Sequence, residues 1–269
     1  MNKVYNTVWN ESIGMWVVTS ELTRKGGQRP RQIRRTVLAG LVAGLLLPSA
    51  PTLATAWDSV TLGSGGTSGS MTLNAGDTAN NTTINSGGQQ YVSSGGSATS
   101  TTINGGLQYV SSGGSATSTT INSDGWQDVN DGGSATSTTI NSGGGQDVFS
   151  GGSATSTTIN GGLQYVSRGG SATSTTINSG GRQHVSGGGS ATSTTINGGL
   201  QYVSSGGSAT STTINSDGWQ DVNDGGSATS TTINSGGGQY VSSGGSATST
   251  TINSGGRQHV SGGGSATST

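Results

Sequence analysis

The sequence predicts an all-β chain wound as a parallel β-helix, a solenoid of about ten coils of 18–19 residues. Three observations predict it. The block Gly-Gly-Ser-Ala-Thr-Ser-Thr-Thr-Ile-Asn occurs nine times at intervals of 18 or 19 residues, the first at Gly95, and a tenth begins at Gly263 and runs to Thr269. Ile recurs from Ile84 to Ile252 and Val from Val92 to Val260 with the same period. No part of the repeat carries the apolar stripe of a helix; Thr, Val, Ile and Tyr, which favour strands, alternate with clusters of Gly, Ser, Asn and Asp, which favour turns.

From the N-terminus, residues 1–28 are a polar extension containing Trp9 and Trp16. Residues 29–56 read as a secretory signal peptide: a basic stretch, Arg29 to Arg35, an apolar run from Val37 to Leu47 that is too short to cross a bilayer, and a small-x-small end at Ala54-Thr55-Ala56. Cleavage is expected after Ala54 or Ala56. Residues 57–83 read as a cap or lead-in strands, and residues 84–269 as the repeat array.

Within each coil the sequence predicts two short strands, Ala-Thr-Ser-Thr-Thr-Ile and x-Gln-x-Val. Alternation assigns their faces. Gln and Val are the same in every copy and share a face, as in Gln108 and Val110, so they are expected in the core. The residue between them varies among Tyr, Asp and His and is expected in water. Stacked buried Gln side chains can hydrogen-bond into a ladder. Thr101 and Ile103 are expected to point inward, Ser100 and Thr102 outward. The 18-residue units read Asn-Gly-Gly-Leu-Gln and the 19-residue units are one residue longer in the same turn, which leaves the strands intact. One coil cannot fold alone; stability belongs to the array, which at the usual strand spacing is roughly 50 Å long.

The composition excludes several functions. The chain has no Cys, hence no disulfide framework and no thiolate metal site. Seven of the ten Lys and Arg fall in residues 1–35; from Trp57 onward only Arg168, Arg182 and Arg257 stand against nine Asp, so there is no basic face for nucleic acid. Catalysis needs converging nucleophile, base and orienting group, yet the only histidines, His184 and His259, occupy one slot in copied coils. No catalytic residue and no cofactor is implied. Asp124, Asp128 and Asp131, repeated as Asp217, Asp221 and Asp224, match no calcium-binding repeat and read as solvated acidic surface. Residues 95–146 are identical to 188–239, an internal duplication offset by 93 residues, or five coils.

Two segments carry a family resemblance. Met1-Asn2-Lys3-Val4-Tyr5, Trp9-Asn10, Gly14-Met15-Trp16-Val17-Val18 and Ser20-Glu21 resemble the extended signal peptide of type V secretion systems, and the repeat resembles the passenger repeats of AIDA-type autotransporter adhesins. The resemblance implies a right-handed β-helical passenger on a Gram-negative cell surface, promoting adherence, autoaggregation and biofilm. It implies export through the Sec translocon, self-association, contact with host or abiotic surfaces, and an autotransporter heptosyltransferase acting on Ser and Thr. Candidate acceptors are Ser111, Ser112, Ser204, Ser205, Ser242 and Ser243 after the Val strand, and Ser123, Ser142, Ser179, Ser216, Ser235 and Ser254 after Ile-Asn. Candidate exposed contact residues are Tyr109, Tyr165, Tyr202 and Tyr240, with Trp126 and Trp219 either exposed or packed on a turn. Neither an autochaperone region nor a barrel follows Thr269 in this sequence, so the chain reads as a fragment that would stop in the periplasm. Rival readings are a passive glycosylated stalk, a passenger whose enzymatic part lies elsewhere, and a non-functional truncation.

Overall fold

The computed structural model describes residues 5–10, 15–20 and 53–269. The chain divides into two units, 1–52 and 53–269. In the first, Tyr5–Asn10 and Met15–Ser20 pair antiparallel, from Tyr5 opposite Ser20 to Asn10 opposite Met15. The expected signal-peptide segment from Arg29 to Thr52 lies outside the described residues; Ala54 and Ala56 lie within them and are exposed.

The second unit is a parallel β-solenoid of about eleven coils whose described residues contain no helix. Its strands form three parallel sheets, one of twelve strands and two of eleven, each strand bonding to the equivalent strand one coil before and one coil after. The register puts like on like: Ala116 pairs Ala135, Ile121 pairs Ile140, Gln127 pairs Gln146 and Val129 pairs Val148. We call these the Ala, Ile and Gln–Val sheets.

Each coil thus has three strands where the sequence predicts two. The expected six-residue strand is broken into Ser-Ala-Thr and Thr-Ile-Asn at a serine, for example Ser115–Thr117 and Thr120–Ile121 around Ser118, whose φ is 57°. This left-handed residue makes a corner. It does not interrupt the ladder: the Ser118 N–H donates to the Thr136 carbonyl of the next coil at 2.9 Å. The corner lets both Ala116 and Thr119 point inward, which an unbroken strand forbids.

The core is built of five inward columns: Ala, Thr, Ile, Gln and Val. In the array's interior none of these side chains is more than 1% exposed. Gln and Val face inward as expected, as do Thr101 and Ile103. The Gln column is a ladder in which each amide N–H₂ donates to the amide oxygen one coil earlier, Gln108 to Gln90 at 2.7 Å and Gln127 to Gln108 at 2.6 Å. The same nitrogen reaches a Thr of its own coil, Gln127 to Thr119 Oγ1 at 3.3 Å. Among the described residues no buried side-chain nitrogen or oxygen lacks a partner. Desolvation of the amides is therefore compensated throughout.

Residues 56–73 already form a coil: Ala56–Asp58, Thr61–Leu62 and Ser70–Leu73 pair with Thr78–Asn80, Thr83–Ile84 and Gln89–Val92. Met71 occupies the Gln column there, and its Sδ accepts from Gln90 Nε2 at 3.6 Å, ending the ladder on a soft apolar residue. The one-residue length change falls between the Ile and Gln–Val strands, as expected, because Ile103 stays opposite Ile84 and Ile121 while Gln108 stays opposite Gln90 and Gln127. The turn after each Val strand requires its second glycine: a Cβ on Gly133 would sit 2.1 Å from the Val110 carbonyl oxygen.

Candidate functional site

The three sheets present different outer surfaces. Ser and Thr project from the Ala sheet, as Ser115 and Thr117, and Thr and Asn from the Ile sheet, as Thr102 and Asn104. These surfaces barely change from coil to coil. Asn side chains on the second form their own ladder, Asn122 Nδ2 to Asn104 Oδ1 at 2.8 Å. The Gln–Val sheet carries the variation. Each of its strands projects two outward residues, in two columns along the array.

One column holds Tyr91, Tyr109, Asp128, Asp147, Tyr165, His184, Tyr202, Asp221, Tyr240 and His259, because register stacks each on the next. Neighbouring rings stack face to face: Tyr91 on Tyr109 at 5.0 Å between centroids, Tyr165 on His184 at 5.0 Å, His184 on Tyr202 at 4.7 Å, and Tyr240 on His259 at 5.2 Å. Each such contact contributes on the order of 0.5–1.5 kcal/mol beyond area burial. Of the expected contact residues, Tyr165 is 38% and Trp219 43% exposed, while Tyr109, Trp126, Tyr202 and Tyr240 are half-buried by their stacked neighbours. Tyr240 also shares a 2.7 Å hydrogen bond with Ser261 of the next coil.

The acids interrupt the aromatic column. Burial raises the Asp128 carboxyl above its ordinary range and the neighbouring Asp147 adds to the rise, with the Trp126 indole acting the other way. Asp147 is raised by burial in the same manner. Burial lowers His184, and Arg182 in its own strand lowers it further, both favouring the neutral imidazole.

The parallel column carries Leu107, Trp126, Gly145, Leu163, Arg182, Leu200, Trp219 and Gly238 in register. Trp126 lies over Gly145 so closely that a Cβ there would stand 1.9 Å from the indole, and Trp219 covers Gly238 in the same way. The indole reaches Tyr165 two coils on, at 6.4 Å. The sequence leaves open whether the tryptophans are exposed or packed; they pack across the next coil's glycine and keep one face in water. That large-over-glycine pairing is visible in the sequence only once the register is known. Two shallow grooves flank the middle of this face. One, of about 290 Å³, is lined by Trp126, Leu163, Arg182 and turn glycines. The other, of about 350 Å³, is lined by Asp147, Phe149, Tyr165 and Arg168 among others.

The candidate acceptor serines flank the same face. Ser123, Ser142, Ser179, Ser216, Ser235 and Ser254 are exposed in the turn entering the Gln–Val sheet. Ser112, Ser205 and Ser243 are exposed in the turn leaving it, each left-handed with φ of 48–50°, while Ser111 and Ser204 are half-buried. Ser242 differs from its counterparts in being only 8% exposed in the folded array. Sequence reading sent Ser100 outward, as found, but missed that Ser100, Ser118, Ser137, Ser156, Ser174 and their successors form a left-handed corner column, all exposed with φ near 57°. The clue was there: Ala98 and Thr101 cannot both point inward along one unbroken strand. Asp124, Asp128 and Asp131 are not gathered into any group able to hold a metal ion.

With this geometry in hand, comparison with known proteins is specific. The chain is 68% identical over 93 residues to Autotransporter CRAC of Citrobacter rodentium (strain ICC168), covering 35% of this chain and 6% of that protein. It is 71% identical over 92 residues to the autotransporter adhesin/invasin TibA of Escherichia coli O78:H11, covering 34% of this chain and 9% of TibA. The matched stretch is thus less than a tenth of the length of these curated relatives. Among solved structures, the crystal structure of a TibC-catalysed hyper-glycosylated TibA fragment superposes with a TM-score of 0.66 at 56% identity, over 80% of this chain and 93% of the fragment. Residues 1–50 match the model of the extended signal peptide of type V secretion systems. Residues 58–106, 103–144, 140–181 and 188–237 match the model described as adhesin of bacterial autotransporter system, probable stalk. Placed on the register described above, those matches run through the solenoid from its first coil, and the chain belongs to this autotransporter adhesin stalk family.

Proposed function

We propose that the repeat array is the adhesive passenger of an autotransporter, acting at the cell surface in adherence, autoaggregation and biofilm formation. The observation that carries this is the outer face of the Gln–Val sheet, where aromatic, acidic and basic side chains stand in register over an otherwise uniform scaffold. The mechanism is multivalent: each coil offers a weak contact and many coils in line raise avidity. Residues 1–28 and 29–56 serve as an extended and an ordinary signal peptide for Sec export, cleaved after Ala54 or Ala56; 57–83 begins the solenoid and 84–269 is its repetitive part. Exposed serines at the turns, Ser112, Ser123, Ser142, Ser179, Ser205, Ser216, Ser235, Ser243 and Ser254, are acceptors for a glycosyltransferase, a reading supported by the glycosylated state of the TibA fragment. No catalytic role is proposed for any residue.

The family description as a stalk favours one second reading, in which the rod only presents another domain. Fusing residues 57–269 to a surface-display barrel, with and without an autotransporter heptosyltransferase, separates the two. Faster cell settling or adherence than in empty-barrel controls is the expected result. Folded repeats on the surface with neither effect would leave the stalk reading standing. Dependence on the transferase would place glycans in the mechanism.

A further inference from the structure

The signal peptide has two bonds at which it can be cut. Thr52-Leu53-Ala54 and Ala54-Thr55-Ala56 both satisfy the small-x-small rule. The first coil distinguishes them. Thr55 leads into the strand Ala56–Asp58 and is held on both sides of its backbone: its N–H donates to Asp77 Oδ1 at 2.7 Å, and its carbonyl accepts from the Thr78 N–H at 2.8 Å. A cut after Ala56 removes both bonds and shortens the strand. A cut after Ala54 keeps them.

Asp77 stands where the repeat tolerates no side chain. Register aligns it with Gly96, Gly114, Gly133 and the matching glycine of every later coil, as far as Gly264. A Cβ on Gly96 would stand 2.5 Å from the Leu73 carbonyl oxygen, and one on Gly114 2.1 Å from that of Val92. Ser70–Leu73 is the end strand of its sheet, so no such carbonyl lies beneath Asp77 and a side chain fits. In later coils the N–H at this slot donates to a carbonyl three residues back, Gly96 to Ser93 and Gly114 to Ser111, each at 2.8 Å. Thr55 occupies the same slot one coil earlier. A cut after Ala54 removes the residue three places back from it, Thr52, and Asp77 supplies an acceptor that stays.

We propose that the leader is cut between Ala54 and Thr55, and that Asp77 is the binding site for the α-ammonium group so created, a latch that closes the first coil. The proposal rests on the signal-peptide reading. Water adds across the Ala54–Thr55 amide, leaving a carboxylate on Ala54 and an ammonium on Thr55. The contact with Asp77 thereby turns from an amide hydrogen bond into an ion pair, so removal of the leader tightens the end of the solenoid. Two backbone donors, Asn74 first and Thr55 second, hold the Asp77 carboxyl below its usual range, which keeps it ionised at neutral pH.

Processing makes the latch measurable, because both lysines, Lys3 and Lys25, depart with the leader and the Thr55 amine becomes the single primary amine of the chain. Amino-terminal sequencing of the exported chain is expected to begin at Thr55. A start at Trp57 would overturn the proposal and leave the signal-peptide reading standing; a start at Met1 would overturn both. Reductive methylation with isotopically labelled formaldehyde, which keeps the charge, lets NMR titrate this amine alone. Asp77→Asn, checked by circular dichroism, is expected to lower its pKa by about 0.5 or more, and equal values in the two chains would sink the latch. Acetylating the amine removes the charge without a substitution. Exchange of the Thr78 amide hydrogen, which is bonded to the Thr55 carbonyl, is then expected to quicken about threefold or more, with that of Thr120 in a later coil unchanged. No change at Thr78, or equal quickening at both, would overturn the latch.

Discussion

Replacing Gln164 by Leu tests whether the buried amide ladder holds the solenoid together through its continuity. Gln164 Nε2 donates to Gln146 Oε1 at 2.7 Å, and Gln164 Oε1 accepts from Gln183 Nε2 at 2.7 Å. Leu removes both, together with the longer contacts to Thr157 Oγ1 at 3.4 Å and from Thr175 Oγ1 at 3.5 Å, leaving Gln146 Oε1 without its donor and one N–H of Gln183 without its acceptor. Each stranded buried group costs about 1–3 kcal/mol, or about 2–6 kcal/mol together. The added apolar burial returns up to about 2 kcal/mol, for a net loss of about 1–4 kcal/mol. Gln258→Leu, at the last rung, removes a donor from Gln239 Oε1, which keeps Thr250 Oγ1 at 3.4 Å, and the longer contact to Thr250 Oγ1 at 3.3 Å. Its cost should stay below about 1 kcal/mol. Replacing Gln146, Gln164 and Gln183 together again interrupts the ladder at only two points, Gln127 and Gln201, so the triple change should cost far less than three times the single one. Urea unfolding followed by circular dichroism gives the midpoints, and amide hydrogen exchange reports the affected coils, because a repeat array need not unfold as one unit. A neutral Gln164→Leu, or three strictly additive losses, would refute the continuity of the ladder as the source of stability.

Three further outcomes follow from the same packing. Gly152→Ala should cost about 1–3 kcal/mol or more, since its Cβ would meet the Val129 carbonyl oxygen at 2.0 Å, while Gly151→Ala, with open space but φ of 78°, should cost about 1 kcal/mol; thermal melts order the two. Gly145→Ala should drive Trp126 off its seat and expose it, read as a red shift of tryptophan emission, with a smaller shift from Gly238→Ala because Trp219 is already more exposed. Asp147 has a folded pKa above its unfolded one, so its contribution favours folding below that window and is lost as pH rises through it. Asp147→Asn should therefore raise the melting temperature at neutral pH and lose that advantage in acid; an equal gain at both pH values would contradict the assignment.

Most of the scaffold was legible because register copies each residue onto itself. Ile, Gln and Val recur unchanged, and period-two alternation is enough to send Gln108 and Val110 inward and Tyr109 outward. The amide ladder follows from that placement. The corner at Ser118 was not legible as composition, since Ala-Thr-Ser-Thr-Thr has the look of a continuous strand and serine seldom signals a left-handed residue. Only the phase conflict between Ala116 and Thr119 betrays it. The functional face was half legible. The variable slot announces itself, but which ring stacks on which, and the seating of Trp126 on Gly145, depend on contacts between residues 19 apart. Burial of Ser242 likewise had no signal within its own coil.

The seating of each tryptophan on the following glycine also sets what can be moved within such a gene. A coil bearing Trp tolerates no side chain at the same slot of its successor, so the two coils are a linked cassette and not interchangeable tiles. The duplicated block respects this: 95–146 carries Trp126 with Gly145, and 188–239 carries Trp219 with Gly238. A crossover falling between the partners would set an indole against Leu or Arg. Recombination that lengthens or shortens the array is therefore filtered by steric compatibility at its joints, and surviving breakpoints should fall outside the pair.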